Sequence, residues 1–590
     1  MLKSLRPLAP YFKKYRWGYV FGVLVVLLNN GIWVLFPLVV GHAMEDLKTG
    51  VTRAKLTSFA LQLVGITLAK GIFQFLTRWK VIGISREIEF DLRNDLFRHL
   101  EQLSYSYYQR TRTGDIMARL TNDLNAVRML LGPAIMYSAN TIVFTVGALV
   151  YMLHISPRLT LFAFLPLPIA SVIIQYFGSR IHDRFERIQA MFSDISARAQ
   201  ENFSGARVVR AYAQEDSEIA SFETDNREYI NRSLPLIRLM GMLWPSLEML
   251  LGLAIVLVLW LGGREVLLHR INFGQFVTYL MYMYQLIWPV IALGWVVSIF
   301  QRGTASLARI DAIFKEQPEI TDARVSDDFA RPVLGEAEIP AAIEGELELR
   351  NLNFSYNGSP VLRDVNLHIP AGSSLAIVGP TGAGKSTLVS LIPRIYDAPR
   401  GTLLLDGRPI TDYPLETLRQ NIGFVPQETF LFSDTVRENI ALGAFEAGEQ
   451  QVRTAAEAAS IGADIEGFAE KYSTMVGERG ITLSGGQKQR TAIARAIIRN
   501  PRILILDDAL SSVDTYTEEK ILNHLREVMQ GRTTLFISHR VSTVRNADRI
   551  AVLHGGRIVE VGTHDELLQR DGYYTDLYNK QLLEEELAQV

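Results

Sequence analysis

Six apolar runs dominate the first half of the chain: Tyr19–Val40, Thr57–Thr77, Ile135–Leu153, Leu159–Phe177, Ile237–Leu261 and Phe276–Phe300. A helix needs ~20 apolar residues to cross a bilayer, and each run comes close to or exceeds that. One such run would also suit a buried core helix. Six in succession predict a helical membrane domain. The segment before the first run, MLKSLRPLAPYFKKYR, is basic but has no short apolar stretch followed by a small-residue cleavage site. It therefore reads as an amphipathic lead-in at the membrane surface rather than a secretory signal. Lys3, Arg6, Lys13, Lys14 and Arg16 place it on the cytoplasmic side.

Alternation from that start puts the connections between runs 1–2, 3–4 and 5–6 outside. The 2–3 and 4–5 connections, residues 78–134 and 178–236, then lie in the cytoplasm. Both carry helical periodicity with many charges, as in SREIEFDLRNDLFRHLEQL and FERIQAMFSDISARAQENF. At 1.5 Å rise per residue, such helices extend the spans by about 30–40 Å. Polar turns are expected at their tips, near Tyr107–Gly114 and Ala211–Asp216. Solvated stalks would satisfy these charges; so would struts that touch a cytoplasmic domain. Within the spans, Lys70 and Glu248 stand out, because an intramembrane charge is costly unless it faces the bundle or has a function. The stretch TYLMYMYQLIWP suits an adaptable apolar pocket and ordinary packing equally.

The pattern changes after residue 316. Residues 317–345 are polar, acidic and proline-bearing, and read as a linker. From 346 to 590 short apolar strands alternate with helical segments, which predicts an α/β domain. The boundaries are thus 1–316, 317–345 and 346–590. A net charge of −2 over 590 residues offers no electrostatic case for a nucleic-acid partner, and with no cysteine there is neither a disulfide nor a thiolate metal site.

Three motifs carry chemistry in this second half. Leu375–Val378 reads as a strand that runs into Gly379, Pro380, Thr381, Gly382, Ala383, Gly384, Lys385, Ser386 and Thr387, with a helix after it. This is a P-loop in its required context. Its glycines let backbone N–H groups close around phosphates, Lys385 reaches the β- and γ-phosphates, and the Ser386 hydroxyl can ligate Mg2+. A second apolar strand, Ile503–Leu506, ends in Asp507 and Asp508, the first of which has the position of a Walker B magnesium carboxylate. The third, Leu483–Gln487, reads LSGGQ. Ser484 and the amides of Gly485 and Gly486 make a second phosphate cradle, more than one chain needs for one nucleotide.

With these motifs the chain resembles the ATP-binding cassette exporters over nearly its full length. It has the form of a half-transporter with one membrane domain ahead of one nucleotide domain. The resemblance implies a multi-pass protein of the cytoplasmic membrane, with ATP and Mg2+ as ligands and a second half-transporter as partner. It makes Tyr356 the aromatic that stacks on adenine and Gln427 a magnesium ligand that senses the membrane domain. It makes Ser484, Gly485, Gly486 and Gln487 the signature that closes over the partner chain's ATP. Asp514 resembles the D-loop aspartate, His539 the switch histidine at the γ-phosphate, and Val476–Gly480 the segment that touches the coupling helices. Tyr107–Asp123 and Ala206–Glu215 resemble the two coupling segments, and a domain-swapped second excursion is implied.

One position departs from the pattern. The family places Glu after the Walker B aspartate to orient or deprotonate the attacking water, and here the residue is Asp508. Asp is shorter by one methylene, about 1.5 Å of reach. A general base must have its oxygen within ~2.6–3.2 Å of the attacking water, and ~1 Å of misplacement costs on the order of 100-fold in rate. The site on this chain's P-loop is therefore expected to bind Mg-ATP and hydrolyse it slowly. The intact signature beside that weakness fits a heterodimer whose other chain supplies the Glu; SSVD in place of the commoner SALD adds a little. The expected function is export of amphipathic or drug-like substrates. The alternatives are a homodimeric lipid or peptide exporter, and a membrane protein that uses ATP only as a gating ligand. Nothing resembling a peptidase precedes the first span, so a processing peptide exporter is not expected.

Overall fold

The structure is a computed structural model, and it describes residues 2–322, 343–356, 358–477, 480, 482–510, 521, 524–538 and 540–588. The chain divides into two compact units. One comprises Met1–His99 with Gly114–Lys315, the other Leu100–Thr113 with Glu316–Val590. Most of the 317–345 linker, Asp514, His539, Glu478 and Arg479 lie outside the described residues.

The first unit contains six long apolar helical stretches: Arg16–Lys48, Arg53–Gln102, Thr113–Ile155, Pro157–Ser204, Glu215–Leu267 and Phe273–Lys315. Each begins or ends well beyond its apolar run, so the charged cytoplasmic segments continue the spans as helix. The fifth is 53 residues long, about 80 Å at 1.5 Å per residue. The last stretch breaks at Leu286, three residues before Pro289, whose ring cannot continue an unbroken hydrogen-bond ladder. Leu61, Leu68, Ile72, Phe75, Val256 and Trp260 are exposed. A bilayer covers such surface; water would not.

The lead-in departs from a simple surface helix. Leu2–Leu8 winds as 3-10 helix and Ala9–Lys14 as α-helix. Tyr11 donates to Asp95 at 2.7 Å, and Lys14 and Tyr15 donate to Asp91 at 2.6 and 2.9 Å. The segment is thus tied to the second stretch beyond its apolar part. Burial and the Asp95 carboxylate hold the Tyr11 hydroxyl protonated far above its ordinary range. At the cytoplasmic end of the third stretch, Asp123 accepts from Ser306 at 2.8 Å and from Arg309 at 2.9 Å, which fixes it against the sixth.

Of the two tips, the first is packed rather than the polar turn the sequence suggests, and the second does turn where expected. At the first, Tyr105–Arg110 is a short helix with Tyr107 only 5% exposed. Within the second unit, Ser104 Oγ accepts from the Ile320 amide at 3.0 Å and Arg110 pairs with Glu316 at 3.0 Å. Tyr105 stands edge-on to Tyr396 at 6.0 Å. At the second tip, Ala206–Ala211 is helical and the turn follows at Tyr212–Gln214, with Ala213 at φ +50°. Phe203 is 81% and Tyr212 74% exposed there.

The nucleotide domain has two sheets. A six-stranded sheet has the order β10-β9-β3-β8-β7-β6, where β3 is Ser374–Val378, β6 Ile422–Val425, β7 Ile503–Asp507, β8 Thr533–Ile537, β9 Arg549–His554 and β10 Arg557–Gly562. All neighbours in it are parallel except β10 with β9. A four-stranded antiparallel sheet has the order β2-β1-β4-β5, with β1 at Leu347–Tyr356, β2 at Ser359–Ile369, β4 at Leu403–Leu405 and β5 at Arg408–Pro409. The continuous apolar runs of β3 and β7 follow from burial on both faces. Leu375, Ile377, Ile503 and Ile505 enter the core shared with the small sheet. Ala376, Val378, Leu504 and Leu506 enter the core shared with helices that include Gly485–Ile497. Successive side chains point to opposite faces, so one strand serves two cores.

Candidate functional site

The site forms at the carboxyl edge of the six-stranded sheet, the usual ligand edge of parallel sheets. β8 lies between β3 and β7, so the loop after β3 and the carboxylates after β7 emerge side by side. Gly379 begins the loop at φ +149°, and a Cβ there would meet the Leu553 carbonyl oxygen at 2.0 Å. Gly384 ends it at φ +101°, in the left-handed region that glycine enters without cost. The helix Lys385–Leu391 starts at once.

A cavity of about 210 Å³ is bordered by Thr381, Gly382, Gly384, Lys385, Ser386 and Thr387 on one side. Gln427, Asp507 and Asp508 border it on the other. Lys385 is buried, and its ammonium donates to the carbonyls of Gly379 at 2.7 Å and Pro380 at 3.0 Å. Burial lowers its pKa, against an opposing pull from the carboxylates of Asp508 and then Asp507. Ser386 Oγ donates to Asp507 Oδ1 at 3.1 Å. Adjacent octahedral ligands at ~2.1 Å from Mg2+ stand about 3 Å apart, so this pair of oxygens suits a shared magnesium without rearrangement. Asp508 has φ +49°, and its amide donates to the Ile537 carbonyl at 3.0 Å. Asp enters that left-handed region more readily than longer side chains do.

Tyr356 closes β1, and its hydroxyl donates to Thr387 Oγ1 at 3.3 Å, which ties it to the P-loop helix. Its ring stands edge-on to Tyr396 at 5.0 Å. Tyr396 carried no motif to announce it. Burial and the neighbouring Tyr356 and Tyr105 push its hydroxyl up to about 12.

The signature lies apart from this cradle in the same domain. Ser484 caps the helix Gly485–Ile497: its Oγ accepts from the Gln487 amide at 3.3 Å, and Gln487 Oε1 accepts from the Ser484 amide at 3.0 Å. Such a reciprocal cap contributes about 1 kcal/mol. Asp464 then accepts from Gln487 Nε2 at 3.1 Å and from Arg490 at 2.8 Å. Ser484 and Gly485 are exposed, with the Ser484 O–H proton still to donate. Asp464, like Tyr396, belongs to no motif; a single Asp in the short helix Gly462–Glu466 ahead of the signature is not a readable signal by itself.

A P-loop domain of this build, behind six membrane-length helices, defines a membrane-embedded ATPase. The comparisons give its family. The ABC transporter transmembrane region matches residues 19–290, and the ABC transporter family matches residues 362–511. The "Probable multidrug resistance ABC transporter ATP-binding/permease protein YheI" of Bacillus subtilis is 35% identical over 99% of this chain and 98% of its own. The multidrug resistance-like ATP-binding protein MdlA of Escherichia coli is 36% identical over 99% and 97%. An ATP-dependent lipid A-core flippase of Syntrophus aciditrophicus is 35% identical over 100% and 95%. A bacterial Atm1-family ABC exporter solved with ATP bound superposes with a TM-score of 0.76, at 28% identity, over 96% of this chain and 98% of that one. The chain belongs to the ATP-binding cassette exporters. It is a multi-pass membrane protein whose nucleotide-binding domain is cytoplasmic, and exporters of this family work as dimers.

Proposed function

We propose that the chain is one half of a heterodimeric exporter that moves amphipathic or drug-like substrates out across the cytoplasmic membrane. In this reading residues 1–316 form the membrane domain, 317–345 the linker and 346–590 the nucleotide domain. One observation carries it: a complete signature, exposed at Ser484 and Gly485, stands in the same domain as a P-loop site whose second carboxylate is Asp508.

ATP is bound between the P-loop of one chain and the signature of the other. On this chain, Lys385 and the amides from Thr381 to Thr387 hold the phosphates, and Tyr356 packs on the adenine. Ser386, Asp507 and Gln427 would hold Mg2+, which when bound neutralises phosphate charge. Asp508 leaves its carboxylate about 1.5 Å short of a Glu, so this site retains nucleotide. Ser484–Gln487 close the opposite site, where the partner's Glu activates water. His539 serves as the γ-phosphate contact at the slow site. ATP-driven closure passes through the coupling segments and reopens the membrane cavity outward. The bare apolar tip at Phe203, Val208 and Tyr212 supports a domain-swapped contact with the partner's nucleotide domain.

The names of the relatives support a drug-like cargo, and the lipid A-core flippase at similar identity supports a homodimeric lipid exporter as the second reading. The lone chain, purified and reconstituted, should have little ATPase activity, while co-expression with its partner should restore it. Brisk hydrolysis by the wild-type chain alone would end the heterodimer reading.

A further inference from the structure

The membrane unit has a half-open cavity of about 670 Å³ among its first, second, third and sixth helical stretches. Lys70 borders it, and its ammonium rests 3.4 Å from the centre of the Trp33 ring. Arg78 borders it too, where the helix widens by an extra residue per turn over Arg78–Ile82. Such widenings gather at functional sites. Among the described residues the lining contains no Asp or Glu. Two further observations point to a ligand. The side-chain oxygens of Asn29 and Gln285 are buried on this lining without a hydrogen-bond partner. Trp288 and Trp295 offer exposed aromatic faces to the same space.

Two cations without a carboxylate repel a third cation, and buried amide oxygens need donors. An acidic group answers the first need: it can accept from Lys70 and Arg78. A hydroxyl or a singly protonated acid can donate to Asn29 or Gln285 once that side chain turns its oxygen toward the cavity. An acyl or aromatic body fills the tryptophan-lined remainder. We propose that this cavity selects amphipathic anions, a phosphate or carboxylate head on an apolar body, and disfavours the cationic amphiphiles often used to probe drug exporters. This rests on the export reading above and narrows its substrate class.

The test uses the full chain in zwitterionic nanodiscs without nucleotide, followed by tryptophan fluorescence. The probes share one tail: dodecyl phosphate, dodecylphosphocholine and dodecyltrimethylammonium. Dodecyl phosphate should bind about 10- to 100-fold tighter than the ammonium compound, the size of one or two charge-assisted hydrogen bonds. Lys70→Gln should remove most of that preference and Lys70→Arg should keep it. Competition by phosphatidylglycerol in the disc would identify a bilayer lipid as the source of the head group. Competition by soluble naphthyl phosphate alone would identify a solute. Equal or tighter binding of the cation overturns the proposal, as does an unchanged preference in Lys70→Gln. ATP binding, measured separately on the same discs, tells this failure apart from failure of the exporter reading.

Discussion

The P-loop and the signature are both glycine turns at helix starts, yet they are built in opposite ways. The P-loop is inside its own domain: β3, β8 and β7 aim it at Asp507, and Lys385 is buried against its carbonyls. The signature is held from behind by Asp464 and shows Ser484 and Gly485 to the outside. In the proposed dimer the first is nearly a whole binding site, and the second is half of one that the partner chain completes. A substitution after Walker B and an intact signature therefore report on two different ATP sites of one dimer.

The largest effect should come from setting these halves against each other in the assembled dimer, recovered through a tag on this chain. Ser484→Arg puts a bulky side chain where phosphate must approach, and ATPase activity should fall at least ~100-fold, the scale of losing positioned oxyanion donors. Lys385→Ala in the same chain should weaken retention of nucleotide at its own site and lower turnover by less than about 10-fold. Equal losses would mean that the two sites are equivalent, and the asymmetry would be gone.

Asp508 sharpens the same comparison from the other side. In the lone chain, Asp508→Glu should raise ATPase activity by roughly 10- to 100-fold, because it restores the missing reach. The gain is set against the φ +49° backbone, which a longer side chain occupies at a cost. Asp508→Asn keeps that conformation better and removes the carboxylate. If Asn leaves the low activity of the chain unchanged, Asp508 is not a working base; a further fall of 10-fold or more would show that it is.

The motifs were readable because their chemistry is local. A buried strand, a glycine turn and a helix start follow one another within a dozen residues, so Gly379–Thr387 and Ile503–Asp508 announced both their fold and their place at the sheet edge. The long cytoplasmic helices were readable for the same reason, from periodicity alone. Contacts between distant segments were not. Nothing near Tyr396 shows that it will meet Tyr356 from β1 and Tyr105 from the first tip. Lys70 stood out as an intramembrane charge, but its Trp33 partner comes from a different helix. Near Tyr107–Gly114 the sequence suggests a polar turn, but the tyrosines of Tyr105–Arg110 make that segment a packed helix.

A smaller effect separates support from contact in the signature half. Asp464 lies outside the signature itself and holds its Gln487, together with Arg490. It is a positioning residue. Asp464→Asn keeps an acceptor for one of them and loses the charge that pairs with Arg490. Turnover of the dimer should fall about 3- to 10-fold, with nucleotide affinity at this chain's P-loop unchanged. A matching loss of affinity would mean that the domain as a whole had loosened.

The smallest effect concerns the edge of the P-loop half. Tyr356 is set by its hydrogen bond to Thr387 on one side and by the Tyr396 ring on the other. An edge-on aromatic pair contributes about 0.5–1.5 kcal/mol beyond buried area. Tyr396→Leu keeps most of the apolar volume and removes that pairing, so Tyr356 keeps only its Thr387 hydrogen bond and its edge-on contact with Phe354 while the phosphate cradle stays whole. ATP affinity measured by equilibrium binding should weaken about 2- to 10-fold, and inorganic triphosphate, which has no base to stack, should bind as before. If triphosphate weakens equally, Tyr396 acts on the cradle itself, and the division between a self-contained P-loop half and its aromatic border does not hold.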